Sequence, residues 1–592
     1  MKRASFLLAL AVLSVLFFTI PAMAEKNGTC GENVTWTLDD DGLLTISGTG
    51  AMNDFSYLGS PYPTWSVNKA VVKSGVTYIG EYAFANCSAM TSVSLPDTVT
   101  SMGQKAFYAC RSLESIRIPN GMTELPSSLF YGAGLTSIDI PQNITKMGSS
   151  VFNGCRMLKS VTIADSVTEL GSYAFQNCVS LEEIEVPGSV NVVDAHLFNG
   201  CASLQRVTLN EGITQIMYDA FEGCTSLQTV TLPSSLTQYG VGVFSQCGNL
   251  REILVADGNS AYCSVDGVLF TKTKRRLVEF PEGKMVTAYQ VPDGTNEIGE
   301  YAFSDCSQLT RIDLPDSLTW IENHAFPDCT GLETINIPQS VRRIGTGCFA
   351  RCTSLTEIRV DENNAYYCSV DGVLLTKDGS VLLTYPINKN ASVYHVPDTV
   401  KELEETLFSM CGKLVEIYLP SGVTYIDGYV FDQCPNLRKV VIPASVTTIN
   451  YYGFTSDWGQ LTCPHVTIYG YKDSAIEDYA IGHKIPFICL DDPAADMGEA
   501  DMVLPGSLET IGEEAFAGIS ASVIQLPEGV ISIGARAFAD CRGLTKIYIP
   551  ASVQTIDDSA FDHVSLLLIY GKQGSAAEAF AIEKGYLFVQ TD

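Results

Sequence analysis

The sequence is poor in basic residues and in histidine, and these shortages exclude several classes of function. It has 36 Lys and Arg against 66 Asp and Glu, a formal net charge of -30, so nucleic acid and anionic membranes would be repelled. None of the six histidines has another three to five positions away, so no histidine-based zinc spacing exists, and no metal or cofactor is expected. Phosphate-cradling glycine loops and a nucleophile elbow are also missing, so we expect no enzymatic activity.

A long apolar run occurs only at the N-terminus. Lys2 and Arg3 precede an apolar run from Ala4 to Ile20, and Ala22-Met23-Ala24 follows as a small-residue cleavage site. This order predicts a signal peptide over residues 1–24 and a mature protein that is secreted or held at the cell surface. A membrane anchor is the alternative, but seventeen apolar residues followed by a cleavage pattern fit it less well. No insertion into the membrane is expected after the signal is removed.

A phenylalanine recurs about every 23 residues along most of the chain. The seventeen positions are Phe84, Phe107, Phe130, Phe152, Phe175, Phe198, Phe221, Phe244, Phe303, Phe326, Phe349, Phe408, Phe431, Phe454, Phe516, Phe538 and Phe561. A fixed period in this range, rich in Leu, Ile and Val, is typical of a leucine-rich repeat solenoid. We expect a β-rich solenoid with short helical turns, seventeen coils of about 23 residues, curved as a right-handed superhelix.

Each period repeats one frame of buried and exposed positions. Val230 and Leu232 alternate with threonines, which predicts a strand with one buried face, and Pro233 ends that strand. A glycine, Asp or Asn four residues before the phenylalanine permits a positive φ or caps a short helical turn. One such unit cannot bury its own apolar face, so it must be stabilised by stacking on its neighbours.

Most of the nineteen cysteines occupy one position of the repeat. Those three residues after the phenylalanine are Cys87, Cys110, Cys155, Cys178, Cys201, Cys224, Cys247, Cys306, Cys329, Cys352, Cys411, Cys434 and Cys541; Ala133, Asp457, Ile519 and Val564 replace them in four coils. Coils in register place equivalent side chains about 4.8 Å apart, farther than the Cβ separation of about 3.8 Å that a disulfide prefers. We therefore expect a buried ladder of free thiols that donate weakly to turn carbonyls. Disulfides remain an alternative for Cys30, Cys263, Cys348, Cys368, Cys463 and Cys489.

Two matching inserts interrupt the repeat, near residues 259–281 and 364–386. Each contains two apolar runs around a short polar turn, Lys272 to Arg275 in one and Lys377 to Ser380 in the other, which predicts a β-hairpin. A projecting hairpin would offer its strand edges to another chain. The alternative is a flap that only fills out the solenoid.

Motifs at the ends of the repeats predict the domain organisation. We expect an N-terminal β cap over 25–69, a main array over 70–490 closed by a cap at 466–490, and a second short block with its own cap over 501–592. Residues 491–500 are an acidic linker; calcium binding there is the alternative, but the stretch lacks the ordered ligand spacing of a calcium loop.

The chain resembles the BspA-type (Treponema-type) leucine-rich repeat proteins of bacteria. The resemblance rests on the frame I-G-x-x-A-F-x-x-C-x-x-L-x-x-I-x-L-P, the opening motif at Gly28 to Gly50, the hairpin motif Y-x-S-x-D-G-V-L and the cap motif I-Y-G…S-A. It covers nearly the whole mature chain. It implies a solenoid fold, secretion or surface exposure, and, as for some members, adhesion to host matrix proteins or other cells; it supplies no catalytic residue.

The outward positions of the strands are candidates for ligand binding. Residues that flank the buried strand positions point outward by alternation, and they vary in charge and size along the repeats. We expect the concave strand face to bind an extracellular protein or glycan, host-derived ones included. The candidate residues are Arg206, Glu252, Leu254, Arg311, Asp313, Glu357, Arg359, Glu416, Tyr418, Lys439 and Tyr548, among which Tyr and Arg are preferred anchors of interfaces. The alternative is a structural spacer or surface-layer component whose outward positions are unconstrained.

Overall fold

The computed structural model describes residues 26–455, 460–490, 502–504, 507–519, 521–564 and 567–591. The predicted signal peptide and the acidic linker 491–500 lie outside these residues. The chain forms two compact units. The first runs up to Thr287 and includes Pro292–Gln308 and Ile321–Pro327, whereas the second contains Ala288–Val291, Leu309–Trp320 and the residues from Asp328 onward. The predicted bounds of the caps, the main array and the second block stay predictions.

The first unit begins with a small antiparallel sheet and continues as stacked parallel coils. The antiparallel strands are Lys26–Thr29, Val34–Leu38 and Leu43–Gly48, and the last of them pairs in parallel with Lys69–Val72. Most coils then give one strand to each of two rows; the coil around Ser115 gives the first row only an isolated bridge to Ser92. The first row contains Lys69–Val72, Ser92–Ser94, Ser137–Ile140, Ser160–Ile163, Glu183–Val186, Arg206–Leu209, Thr229–Leu232 and Glu252–Val255. The second contains Gly50–Ala51, Val76–Ile79, Ser101–Met102, Glu124–Leu125, Lys146–Met147, Glu169–Leu170, Val192–Val193, Gln215–Ile216, Gln238–Tyr239 and Glu297–Ile298.

The second unit is built in the same way and contains both described α-helices. Its first row contains Ala288–Gln290, Arg311–Asp313, Thr334–Ile337, Glu357–Val360, Val393–His395, Glu416–Tyr418, Lys439–Val441, Thr467–Gly470, Phe487–Cys489, Met502–Val503, Val523–Gln525, Lys546–Tyr548, Leu568–Gly571 and Leu587–Gln590. The second contains Arg343–Ile344, Glu402–Leu403, Tyr425–Ile426, Thr448–Ile449, Thr510–Ile511, Ser532–Ile533 and Thr555–Ile556; Trp320–Ile321 lies at the boundary. Helices α1 (Ala475–His483) and α2 (Ala576–Lys584) follow the strands Thr467–Gly470 and Leu568–Gly571. Ser474 and Ser575 cap their N-termini, each accepting a backbone N–H.

The repeat phenylalanines form continuous stacks inside the coils, which confirms the predicted solenoid. In the first unit, the rings of Phe84 and Phe107 stack with centroids 5.1 Å apart, and those of Phe198 and Phe221 lie 5.2 Å apart. The strands pair with a shift of one repeat, as between Ser137 and Ser160. Strand Thr229–Leu232 alternates exposed and buried residues as predicted. Burial of one face thus depends on the neighbouring coil.

The cysteine ladder is also confirmed, with one correction. The thiol of Cys178 donates to the carbonyl oxygen of Phe152 at 3.2 Å, and Cys201 repeats this contact with Phe175. All nineteen cysteines lie in the described residues, and none of them forms a disulfide. Cys463, predicted to lie off the ladder, donates to the carbonyl of Phe431 at 2.8 Å. It therefore occupies the ladder position that the spacing assigned to residue 457, which lies outside the described residues.

Each insert is a three-stranded antiparallel meander that is built into the solenoid. The strands are Tyr262–Val265, Val268–Thr271 and Arg276–Glu279 in one insert, and Tyr367–Val370, Val373–Thr376 and Val381–Thr384 in the other. The third strand joins the second row in parallel, as Arg276 does opposite Glu297. Phe280 then stacks on Phe303 with a centroid separation of 5.2 Å, and Tyr385 takes the same place beside Phe408 at 5.3 Å. Each insert thus contributes a coil of its own, with Phe280 or Tyr385 at its centre.

Candidate functional site

Parallel register in the second unit brings outward side chains from successive coils together. Val393, Glu416 and Lys439 stand opposite one another in neighbouring strands, and Thr467, next in this register, is buried. His395 and Tyr418 form the adjacent column, and Tyr469 lies two strands beyond Tyr418. The intervening residues face the core, since Ile417, Val440 and Ile468 are fully buried. Strand alternation therefore places two adjacent columns, one with charged and one with aromatic groups, on this face.

His395, Glu416, Tyr418, Lys439 and Tyr469 form what we call the aromatic patch. The imidazole of His395 stacks on the ring of Tyr418 with centroids 4.3 Å apart. The Lys439 ammonium lies 5.0 Å from the centroid of Tyr418 and 4.8 Å from that of Tyr469, so one cation contacts two aromatic faces. The Tyr418 hydroxyl donates to the Glu416 carboxylate at 2.6 Å. Each side chain of the aromatic patch therefore contacts at least one other member of it.

A cleft of about 420 Å³ opens beside the aromatic patch. Glu416, Lys439 and Tyr469 line one side, and Ile582 and Tyr586 of the second block line the other. Its volume is within the range of cavities that bury a small ligand. The cleft combines a carboxylate, an ammonium group and apolar walls.

The second block packs its outward strand face against the cap of the first array. Ile488 of that cap is buried together with Leu568 and Tyr570 of the block. Tyr548 stacks on Tyr570 with centroids 4.4 Å apart and is partly buried in the same apolar cluster. Tyr548 is therefore half-buried on a strand face that the cap partly covers.

Four further candidate residues of the second unit form ion pairs within their own strands. Arg311 Nε lies 2.8 Å from Asp313 Oδ1, and an Arg359 guanidinium nitrogen lies 2.8 Å from Glu357 Oε2. The hydrogen bond from Arg359 lowers the pKa of the Glu357 carboxyl. Both pairs are largely exposed, so their charges partly neutralise each other on the strand face.

The remaining candidates lie in the first unit. Arg206 forms an ion pair with Glu183 across neighbouring strands. Glu252 is exposed and lies beside the hairpin turn at Gly267, while the Leu254 side chain is 37% exposed. These three residues therefore form no part of the aromatic patch, which lies in the second unit.

Two members of the aromatic patch were missed by sequence reasoning. His395 lies 23 residues before Tyr418, at the same position of the repeat, but the preceding insert hides the period there. Tyr469 belongs to the cap motif Ile468-Tyr469-Gly470, which was interpreted only as an end of the array. Extending the 23-residue period back through the insert would have found His395, whereas Tyr469 lies 28 residues after Val441 and is not reached by that period.

Within the part of the chain that the structure describes, no helix combines the length and the apolar character needed to cross a membrane. The family model for the BspA type leucine rich repeat region matches residues 62–182, 168–283, 279–369, 387–477 and 499–570. No protein of curated function matches the chain.

Several solved structures are similar to this chain. A leucine-rich repeat protein from Bacteroides ovatus ATCC 8483 is 23% identical, with 66% of this chain and 94% of that chain covered and a TM-score of 0.42. A leucine rich cell surface protein from Faecalibacterium prausnitzii A2-165 is 26% identical, with 77% and 97% covered and a TM-score of 0.39. A leucine-rich repeat protein from Eubacterium ventriosum ATCC 27560 is 24% identical, with 73% and 95% covered and a TM-score of 0.34. Because the family model matches well over half of its residues, the chain belongs to the BspA-type leucine-rich repeat family.

Proposed function

We propose that this protein is exported and binds an extracellular partner protein at the aromatic patch and the adjoining cleft. The predicted signal peptide supports export, and family membership supports a scaffold whose outward strand face is available for binding. A repeat solenoid presents an extended surface whose inward residues are structural and whose outward residues are free to vary. The partner is assigned to the patch because the other candidate charges of this unit are already paired.

The contact of Lys439 with both Tyr418 and Tyr469 is the observation that carries the proposal. Tyrosine and cationic side chains held rigid by their neighbours lose little conformational entropy on binding. The neighbouring cleft offers apolar walls that can receive an anchoring side chain of the partner. Preorganised aromatic anchors beside a cleft are a frequent arrangement at the centres of protein interfaces.

A binding role fits the patch better than a catalytic one. Glu416 is the one carboxylate among the described residues that line the cleft, and the Tyr418 hydroxyl already donates to it. The described residues that line the cleft include no His, Cys or Ser, the side chains that most often act as general base or nucleophile. We therefore propose a non-enzymatic scaffold.

A structural spacer is the second candidate function. The ion pairs Arg311–Asp313 and Glu357–Arg359 favour this function, because charges that are already paired within the protein contribute little to the binding of a partner. A spacer would retain its fold and assembly when the aromatic patch is removed.

A binding screen with matched variants distinguishes the two functions. The untagged mature chain, residues 25–592, is tested against a panel of extracellular matrix proteins and bacterial surface proteins. For each partner found, the double variant Tyr418→Ser/Lys439→Ser is expected to weaken binding about 100-fold, as loss of interface anchors does. The control Arg311→Ser/Asp313→Ser removes a self-paired couple and is expected to bind like the wild type. Equal binding by the patch variant, or a panel without any partner, contradicts the proposal.

A further inference from the structure

A cluster of possible metal ligands lies on a turn of the first unit, away from the strand face. His196 and Asp219 occupy the same position in successive coils, two residues before Phe198 and Phe221, and Glu222 follows Phe221. One ring nitrogen of His196 and one carboxylate oxygen each of Asp219 and Glu222 all lie within 4.8 Å of one another. All three residues are half-buried. Two neighbouring coils thus direct three ligand atoms to one point.

The negative charge of this cluster lacks a strong counterion among the described residues. Among the described residues, the carboxylates of Asp219 and Glu222 form a single ion pair, in which Asp219 Oδ2 lies 3.9 Å from His196 Nε2. Elsewhere the chain supplies an arginine where turns gather acids: Arg536 forms ion pairs with Glu514, Asp540 and Asp562.

Neighbouring side chains hold the cluster in position. Asn199 Nδ2 donates to Glu222 Oε2 at 2.5 Å, and Gln246 Nε2 donates to Oε1 at 3.3 Å. Asn199 is itself the last link of an amide chain that runs from Asn153 through Gln176. The His196 ring stacks on Tyr173 with centroids 4.8 Å apart. Hydrogen bonds of this kind orient metal-ligating carboxylates and are a regular part of metal sites.

We propose that His196, Asp219 and Glu222 bind a divalent transition-metal ion, represented by zinc, that links two successive coils. An imidazole nitrogen with two carboxylate oxygens suits zinc and its neighbours, whereas calcium and magnesium prefer oxygen ligands alone. Three protein ligands leave at least one coordination position for water or for an oxygen atom of a partner. Tetrahedral bonds of about 2.0–2.1 Å place ligand atoms about 3.3 Å apart. Because the ligand atoms already lie within 4.8 Å of one another, binding draws them together by at most about 1.5 Å.

Calorimetry with zinc chloride on the metal-free, untagged mature protein tests the site. The wild type is expected to bind one equivalent, and His196→Gln and Glu222→Gln are expected to weaken that binding by at least about 100-fold, since each removes a direct ligand. His324→Gln is the matched control. His324 occupies the same repeat position and stacks on Tyr301 at 5.3 Å, but the next coil carries Gly347 and Ala350 in place of the acids.

Replacement of zinc by cobalt distinguishes binding at this site from adventitious binding of the metal by cysteine thiolates. The cobalt-loaded protein is expected to lack a thiolate-to-cobalt charge-transfer band, because the proposed ligands are nitrogen and oxygen. If a ligand variant fails to fold, as judged by its circular dichroism, the variant Asn199→Ala is used instead. It removes a hydrogen bond to the Glu222 carboxylate and is expected to weaken zinc binding 10- to 100-fold. The proposal is overturned if His196→Gln binds zinc as tightly as His324→Gln, if the bound cobalt shows the thiolate band, or if calcium displaces zinc at equal concentration.

Discussion

Single buried polar residues determine how the insert coils close. Asn259 is 1% exposed, and its side-chain amide donates to the carbonyls of Pro233 and Leu236, while its oxygen accepts the N–H groups of Ala261 and Tyr262. Asn364 makes the equivalent four contacts in the second insert. Only a side chain with two donors and an acceptor satisfies all four backbone groups, so an otherwise irregular turn can be buried without loss of hydrogen bonds.

Glu279 is a second buried polar residue, and it predicts a pH dependence of stability. Its carboxyl accepts the Tyr239 hydroxyl and the Phe244 N–H, yet burial raises its pKa from 4.5 to about 7. Burial also raises the pKa of Glu282 to about 7. The folded state therefore holds more protons than the unfolded state between these pH values.

We expect the first unit to lose stability as the pH rises from about 4.5 to about 7. A carboxyl whose pKa is raised by folding stabilises the native state in its protonated form, and each such group contributes up to about 1.4 kcal/mol per pH unit in this window. Urea unfolding at a series of pH values measures the slope. Glu279→Gln is expected to reduce it, and an unchanged slope in that variant would show that Glu279 ionises normally in the folded state.

At the scale of one element, each insert is a structural coil with its own central aromatic residue. Phe280 is 3% exposed and continues the stack toward Phe303, and its N–H donates to the carbonyl of Ala302. The Asp266-Gly267 turn that starts the meander has positive φ at both residues, 50° and 76°, as a tight two-residue hairpin turn requires. An insert that only projected from the surface would leave this ring unburied.

Replacement of the central aromatic residue distinguishes a coil from a surface flap. Phe280→Ala is expected to lower the free energy of unfolding of the first unit by about 3–5 kcal/mol, as loss of a buried Phe does. Met285→Ala changes a side chain that is 78% exposed and is expected to stay within about 0.5 kcal/mol of the wild type. Denaturant unfolding measures both variants. A loss below about 1 kcal/mol for Phe280→Ala would assign the insert to the surface.

The second insert carries a tyrosine at the equivalent place, and its hydroxyl is poorly accommodated. Tyr385 is 2% exposed, and its hydroxyl oxygen is buried without a hydrogen-bond partner among the described residues. Tyr385→Phe is therefore expected to raise the free energy of unfolding by about 1 kcal/mol, because it removes an unsatisfied polar group. The same denaturant experiment measures this gain, and a loss of stability would mean that the hydroxyl is bonded in solution.

The regular coils could be predicted from the sequence because each position of the repeat has one local physical role. The buried Phe, the strand alternation and the thiol ladder all follow from the 23-residue period. Cys463 was missed because a longer segment separates it from Phe454, so spacing alone does not reveal its place. The clusters around His196 and Tyr418 were missed as units because their members come from different coils, and only the register between coils brings them together.

On the scale of the whole molecule, the outward residues of the strands differ in exposure between the coils of the first unit and the second block. In the coil that carries Thr229 and Thr231 the outward residues are exposed, whereas the outward Leu568 and Tyr570 of the block are buried against Ile488. Apolar outward residues would be an aggregation risk if they were exposed. Docking on the cap removes that risk and creates the second wall of the cleft.

Disruption of this docking is expected to expose apolar surface without unfolding the repeats. Leu568→Asp places a charge in the buried cluster and is expected to increase binding of the fluorescent dye ANS, while circular dichroism stays unchanged. Ile582→Asp changes a residue of the same block that is 72% exposed and serves as the control. Equal dye binding by the wild type and Leu568→Asp would indicate that the block does not dock on the cap.

Lysine labelling of the protein in complex with a partner from the screen tests the proposed binding surface most directly. An amine-reactive reagent, read by mass spectrometry, reports the accessibility of each lysine with and without the partner. We expect the partner to protect Lys439, because its ammonium lies in the aromatic patch, and to leave the exposed Lys69 and Lys146 of the first unit unchanged. Unchanged labelling of Lys439 together with protection of Lys69 or Lys146 would contradict the assignment.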